Sequence, residues 1–141
     1  MKRTASAAWR GNLKDGKGVL STQSGILNET TYGFNTRFED EPGTNPEELI
    51  AAAHAGCFTM ALAALLEKEG MMPNSLQTSA SVTLEKEDGG FAITAIHLEL
   101  VADMPGGDQA SFQKIAEIAK VECPVSKLLA IKPTLNAKLA P

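Results

Sequence analysis

The sequence predicts an α+β domain of order β-β-β-α-β-β-α-β around one long, buried central helix, and three observations carry that prediction. From Ala5 to Phe38 the sequence is polar, Gly-rich and β-leaning. A run of 18 residues, Leu49 to Leu66, then contains no Asp, Glu, Lys or Arg and follows a strong helix-start signal. Beyond it, Leu76–Leu84 and Phe91–Val101 alternate as strands on either side of Asp88-Gly89-Gly90.

Taken in order, turn signals at Asp15-Gly16, Lys17-Gly18 and Ser24-Gly25 separate segments near Trp9, Val19-Leu20 and Tyr32–Phe38, which reads as three short strands. The acidic stretch Glu39–Gly43 is a loop. Asn45 is placed as an N-cap, Pro46 as the first helical residue and Glu48 as the closing member of a capping box, leaving Glu47 free. This helix runs to about Glu69, where Gly70 ends it and Pro73 prevents its continuation. A hairpin follows. Phe112, Ile115, Ala116 and Ala119 then recur at helical spacing and set a second helix over Asp108–Lys120. Cys123-Pro124 opens a short helical piece, and Leu135, Ala137 and Leu139 alternate in a closing strand.

At 141 residues and 14.9 kDa the chain fits a single domain over 1–141, short enough to gain from pairing with a second copy. Its formal charge of −4 and scattered basic residues give no footprint for nucleic acid or an anionic membrane. The uncharged run reaches the lower limit for a membrane span, yet it is Ala-rich and holds His54, Gly56 and Thr59, so a helix enclosed in a soluble core is the expectation. Met1-Lys2-Arg3 is followed by a segment too short and too polar for a signal peptide, which points to the cytoplasm. In a reducing compartment two cysteines serve transient chemistry better than a permanent bridge.

Cys57 lies within the long helix, with Ala53 and Ala61 one turn away on either side and Gly56 next to it. It is either a small core residue or a thiol with room for a reactant. Cys123, directly before Pro124, is either an inward-packed residue or an N-cap thiol favoured by unpaired N–H groups. A nucleophilic Cys57 needs a nearby cation, because apolar burial raises a thiol pKa. Arg37 is the candidate, with Glu47 as the carboxylate that orients it, although a first-turn Glu also answers the helix dipole. Glu47 and Cys57 are ten residues apart, about 15 Å and about 80° on a straight helix. Either the first turn is broken, or Arg37 and Glu47 reach the Cys57 of a second subunit in an intertwined dimer. His54 reads as a packed helical histidine and His97 as an ordinary strand residue, since neither has the companions of a metal site or a cysteine hydrolase.

The segments Tyr32–Phe38, Gly43–Leu49, His54-Ala55-Gly56-Cys57 and Cys123-Pro124-Val125-Ser126 together closely resemble the osmotically inducible protein C (OsmC) family, over nearly the whole chain. The resemblance implies an intertwined homodimer with two long central helices. It also implies reduction of organic hydroperoxides, with Cys57 as the peroxidatic cysteine, Cys123 as the resolving one and Glu47 holding an arginine. Arg37 matches the osmotically inducible branch, while Arg10 is the competitor suggested by the related organic hydroperoxide resistance branch. Electrons are expected from a dithiol such as a dihydrolipoyl protein, and no metal, flavin, haem or nucleotide is required. Phe34, Phe58 and Met60 are expected to line the approach. The alternative from another class is a non-enzymatic dimer that uses the same thiols for redox sensing or binds a small molecule.

Overall fold

The computed structural model describes residues 1–141 and divides into two compact units, Met1–Leu49 and Ile50–Pro141. In the first unit β1 (Ala5–Arg10), β2 (Lys17–Thr22) and β3 (Thr30–Tyr32) form an antiparallel sheet in that order. Gly18 stands opposite both Trp9 and Tyr32, whose rings meet edge-on at 5.7 Å. A Cβ at position 18 would collide with both rings. The Lys17-Gly18 pair therefore belongs inside a strand, where glycine admits two aromatic side chains, and is not a turn.

The strand expected over Tyr32–Phe38 stops at Tyr32, and Phe34–Phe38 forms a short helix, α1. Its start is a local hydrogen-bond exchange: the Gly33 N–H donates to Thr36 Oγ1 at 2.7 Å, and the Thr36 hydroxyl donates back to the Gly33 carbonyl at 3.1 Å. The backbone N–H of Arg37 also donates to that carbonyl. Side-chain-to-backbone bonding of this kind offers the chain an alternative to the sheet ladder.

The long helix α2 spans Pro46–Lys68 without interruption. At its start Asn45 Oδ1 accepts from the Glu48 N–H at 2.8 Å, as an N-cap should. The carboxylate of Glu48 accepts the Thr44 hydroxyl at 2.6 Å, so it serves the preceding loop in place of the expected capping box. At the far end Gly70 adopts φ 69°, Met71 N–H donates to Leu66 O, and Gly70 N–H donates to Glu67 O. That pairing closes the last carbonyls in a Schellman turn, which needs a left-handed residue at this point.

In the second unit β4 (Ser75–Glu87) and β5 (Gly90–Asp103) form the hairpin, and β6 (Thr134–Leu139) runs parallel to β5 on its other side. A parallel neighbour needs a crossover, which α3 (Gln109–Glu122) and α4 (Pro124–Leu128) supply. The predicted order thus gains one short helix, α1, while α4 is the short helical piece expected at Cys123-Pro124, and the order is otherwise observed. Along β5, Ile96, Leu98, Leu100 and Ala102 turn inward at period two. Leu98, Leu100 and Ala102 of this row join Phe112, Ala116 and Ala119 of α3 and the stripe Phe58, Leu62 and Leu66 of α2 in one core cluster.

That stripe corrects one expectation. The helix was expected to be enclosed on nearly all sides, yet beyond Glu47 in its first turn it buries, within the chain, only the row His54, Phe58, Leu62 and Leu66, four residues apart. Ala52, Ala53, Gly56, Ala63 and Ala64 are exposed, and Met60 is 76% exposed. By length and composition alone α2 is apolar enough to cross a membrane, with a mean hydropathy of 2.0. The core of the second unit closes around Phe112, which is fully buried. Phe112→Ala should lower the stability of the folded protein by about 3–5 kcal/mol in a urea titration, because the ring leaves a cavity between α3 and β5.

Candidate active site

The two cysteines come together. Cys57, in the middle of α2, is partly exposed, while Cys123 is fully buried at the junction where α3 ends and α4 begins. Both are free thiols, and Cys57 packs against the buried cluster that contains Cys123, close enough for Cys123 to act on its ionisation. Pro124 occupies the first turn of α4, as the sequence predicts, and leaves the next backbone donor, the Val125 N–H, pointing at Cys57. Burial pushes the Cys57 thiol above its ordinary pKa, and the neighbouring Cys123 pushes it further. The Val125 N–H acts in the opposite direction, because it can hydrogen-bond a thiolate. The net shift is upward, toward the protonated thiol.

One turn before Cys57, His54 is fully buried and its Nε2 lies 2.7 Å from the Ser126 hydroxyl. Its Nδ1 has no hydrogen-bond partner. Neither ring nitrogen engages Cys57, which removes the geometry of a Cys-His hydrolase. Ser126 is a partner that sequence reasoning passed over, although it stands in the same Cys123-Pro124-Val125-Ser126 segment. Burial also holds the His54 imidazole below its usual pKa, favouring the neutral ring.

The cation and its orienting carboxylate come together in the first unit. Arg37 Nη2 meets Glu47 Oε1 at 2.6 Å, and Arg37 Nε lies 3.0 and 3.2 Å from the two carboxylate oxygens. Two donors of one planar guanidinium thus grip one carboxylate, a strong and directional pairing. Only 12% of the Glu47 side chain is exposed, whereas 37% of the Arg37 side chain remains accessible. The guanidinium stacks 5.4 Å from the Phe38 ring centroid and borders a cleft of about 330 Å³ whose walls include Trp9, Tyr32 and Phe34. An apolar cleft with one fixed cation suits a molecule with a greasy body and a polar, electron-rich end.

Arg10, the competing arginine, ends β1 with its side chain exposed and makes no ion pair. Of the three residues expected to line the approach, Phe34 does line this cleft. Phe58 lies in the core of the second unit and Met60 on the exposed face of α2, positions fixed by the four-residue repeat of the buried stripe. Trp9 and Tyr32 were missed as lining residues, and only the Gly18 notch between them hinted at their approach. His97 sits on the outer face of β5, pairing with Glu99 at 3.0 Å and with the Thr134 hydroxyl.

Comparison with known proteins matches residues 38–138 to the family described as OsmC-like protein. Peroxiredoxin OsmC of Escherichia coli (strain K12) is 52% identical over 137 residues, covering 97% of this chain and 96% of that one. Organic hydroperoxide resistance protein OhrB of Bacillus subtilis (strain 168) is 30% identical over 111 residues, covering 78% of this chain and 79% of that one. The crystal structure of Bacillus subtilis OhrB superimposes with a TM-score of 0.68 at 28% identity, covering 97% and 98% of the two chains.

The buried imidazole gives an acid-side signature. Its folded pKa is depressed, so the contribution to stability is present above the unfolded value of about 6.5 and is lost as pH falls through the folded value. Urea midpoints measured across that range should decline more steeply for the native chain than for His54→Gln, which has no proton to take up at that position.

Proposed function

The chain belongs to the OsmC-like protein family, and from that premise we propose that it is a thiol-dependent peroxidase that reduces organic hydroperoxides to alcohols. The observation that carries this reading is the direct contact between a partly exposed Cys57 and a buried Cys123. The Cys57 thiolate attacks the peroxide O–O bond, an alcohol leaves, and sulfur becomes a sulfenic acid. Cys123 then condenses with it, releasing water and closing a disulfide. An external dithiol resets the pair by exchange, and a dihydrolipoyl protein is the reductant we favour. The cytoplasm, where disulfides are kept reduced, is the compartment that suits this cycle.

Arg37 is assigned the task of favouring the thiolate and binding the peroxide oxygens, with Glu47 fixing its orientation. Within α2, ten helical residues, about 15 Å of rise, separate Glu47 from Cys57, and the helix is unbroken. The alternative of a broken first turn therefore falls away. The arrangement we favour is an intertwined homodimer, in which Arg37 and Glu47 serve the Cys57 of the second subunit. The exposed apolar face of α2 supports it, because Met60 and the surrounding alanines would otherwise meet water. Sedimentation should give a dimer, and an active monomer would overturn the arrangement.

Reduced protein treated with one equivalent of cumene hydroperoxide should lose both thiols to a Cys57–Cys123 disulfide, mapped by mass spectrometry. Cys57→Ser should consume no peroxide, and Cys123→Ser should stop at an oxidised Cys57. If both native thiols survive, the enzyme reading yields to a non-enzymatic thiol dimer.

Removal of the cation should be visible separately. Arg37→Ala should raise the pKa of the reactive thiol, followed by thiolate absorbance, and slow peroxide reduction by about 10²–10³-fold. An unchanged rate would exclude Arg37 and return Arg10 to consideration.

A further inference from the structure

Cys57 and Cys123 sit on different elements, one inside a helix and the other at a junction between two helices. Something must hold that junction against α2 while the thiols are reduced, since no covalent bond does so. Cys123 provides no side-chain cap for α4, and α4 is only five residues long, too short to be stable by its own hydrogen bonds. Beside the contacts made at the Cys57 sulfur, one side-chain hydrogen bond ties α2 to α4: His54 Nε2 to Ser126 Oγ, 2.7 Å, between residues 72 apart in sequence. Both residues are buried, His54 completely and Ser126 to 3% exposure.

The positions of the two partners matter. His54 lies three residues before Cys57 on α2, and Ser126 lies three residues after Cys123, so the tie runs alongside the sulfur pair. Between Cys123 and Ser126 stands Val125, whose N–H reaches Cys57. Fixing Ser126 therefore fixes two things at the Cys57 sulfur: the Cys123 thiol and the backbone donor. Because Nδ1 is unpartnered, the proton of the neutral imidazole is better placed on Nε2, which makes His54 the donor and Ser126 Oγ the acceptor.

We propose that the His54–Ser126 hydrogen bond is a positioning latch that pre-orders the Cys123 segment against α2, so that disulfide closure between Cys57 and Cys123 needs little further ordering. The biological use of this latch rests on the peroxidase reading above, where it would decide whether a Cys57 sulfenic acid is captured by Cys123 or meets a second peroxide and advances to the irreversible sulfinic acid. Its physical content is independent of that reading. Disulfide closure and the latch both restrain the same segment, so each must favour the other by the same factor.

The test is therefore made without peroxide. Native protein, Ser126→Ala and Ser126→Thr are equilibrated in glutathione buffers, where one oxidised glutathione and the two protein thiols exchange to give the protein disulfide and two reduced glutathiones. The disulfide fraction gives the equilibrium constant. Ser126→Ala should lower that constant by a factor on the order of 3 to 10, the scale of one net hydrogen bond, and Ser126→Thr, which keeps the hydroxyl, should restore most of it. A constant that is unchanged or raised in Ser126→Ala, in protein shown to be folded by circular dichroism, overturns the latch. In parallel, cumene hydroperoxide should leave more Cys57 sulfinic acid in Ser126→Ala than in the native chain, and Ser126→Thr should return the yield toward the native one. Native protein that shifts normally with glutathione but ignores peroxide would sink the peroxidase reading and leave the latch standing.

Discussion

A thiol placed in the middle of an apolar helix resists ionisation, and the rest of this molecule can be understood as a response to that constraint. Burial raises the pKa of Cys57, Cys123 beside it raises it further, and a single backbone N–H works the other way. One N–H is a small counterweight to the removal of water around a nascent anion. Within the first unit the Arg37 guanidinium is clamped by Glu47 at 2.6 Å and stacks against Phe38. Under the arrangement proposed above, that cation would reach a thiol only on assembly.

Much of this was legible in the sequence, for reasons that are local. Asn45-Pro46 announces the start of α2 because N-capping and a preset φ are properties of those two residues alone. Gly70 announces its end because the closing turn demands a left-handed backbone. The alternation of β4 and β5, the turn at Asp88-Gly89 and the helical spacing of α3 are equally short-range signals. The pairing of Arg37 with Glu47 was also legible, because a half-buried arginine requires an acid and Glu47 was the acid left free by the cap.

What escaped was non-local or depended on competition between similar options. Tyr32–Phe38 has strand-like composition, and only the reciprocal exchange between Gly33 and Thr36 diverts it into α1. Lys17-Gly18 resembles a turn until Trp9 and Tyr32 are seen to converge on it from both neighbouring strands. Ser126 could not be matched with His54 from sequence, since the two are 72 residues apart and a serine announces no partner. The exposed face of α2 escaped for another reason: an all-round apolar sequence says that the helix must be covered, but not by which chain.

The burial of Cys123 has a consequence for how electrons would return to the oxidised protein. In a disulfide the incoming thiolate must choose a sulfur, and access is one of the factors that decides. Cys123 presents no surface to solvent, whereas Cys57 presents some. The reductant would therefore bond to Cys57 first and expel Cys123 as the leaving group, into the pocket where it began. Entry and exit of the redox equivalents would then share one doorway, so substrate and reductant would take turns at the same sulfur and could not occupy it together.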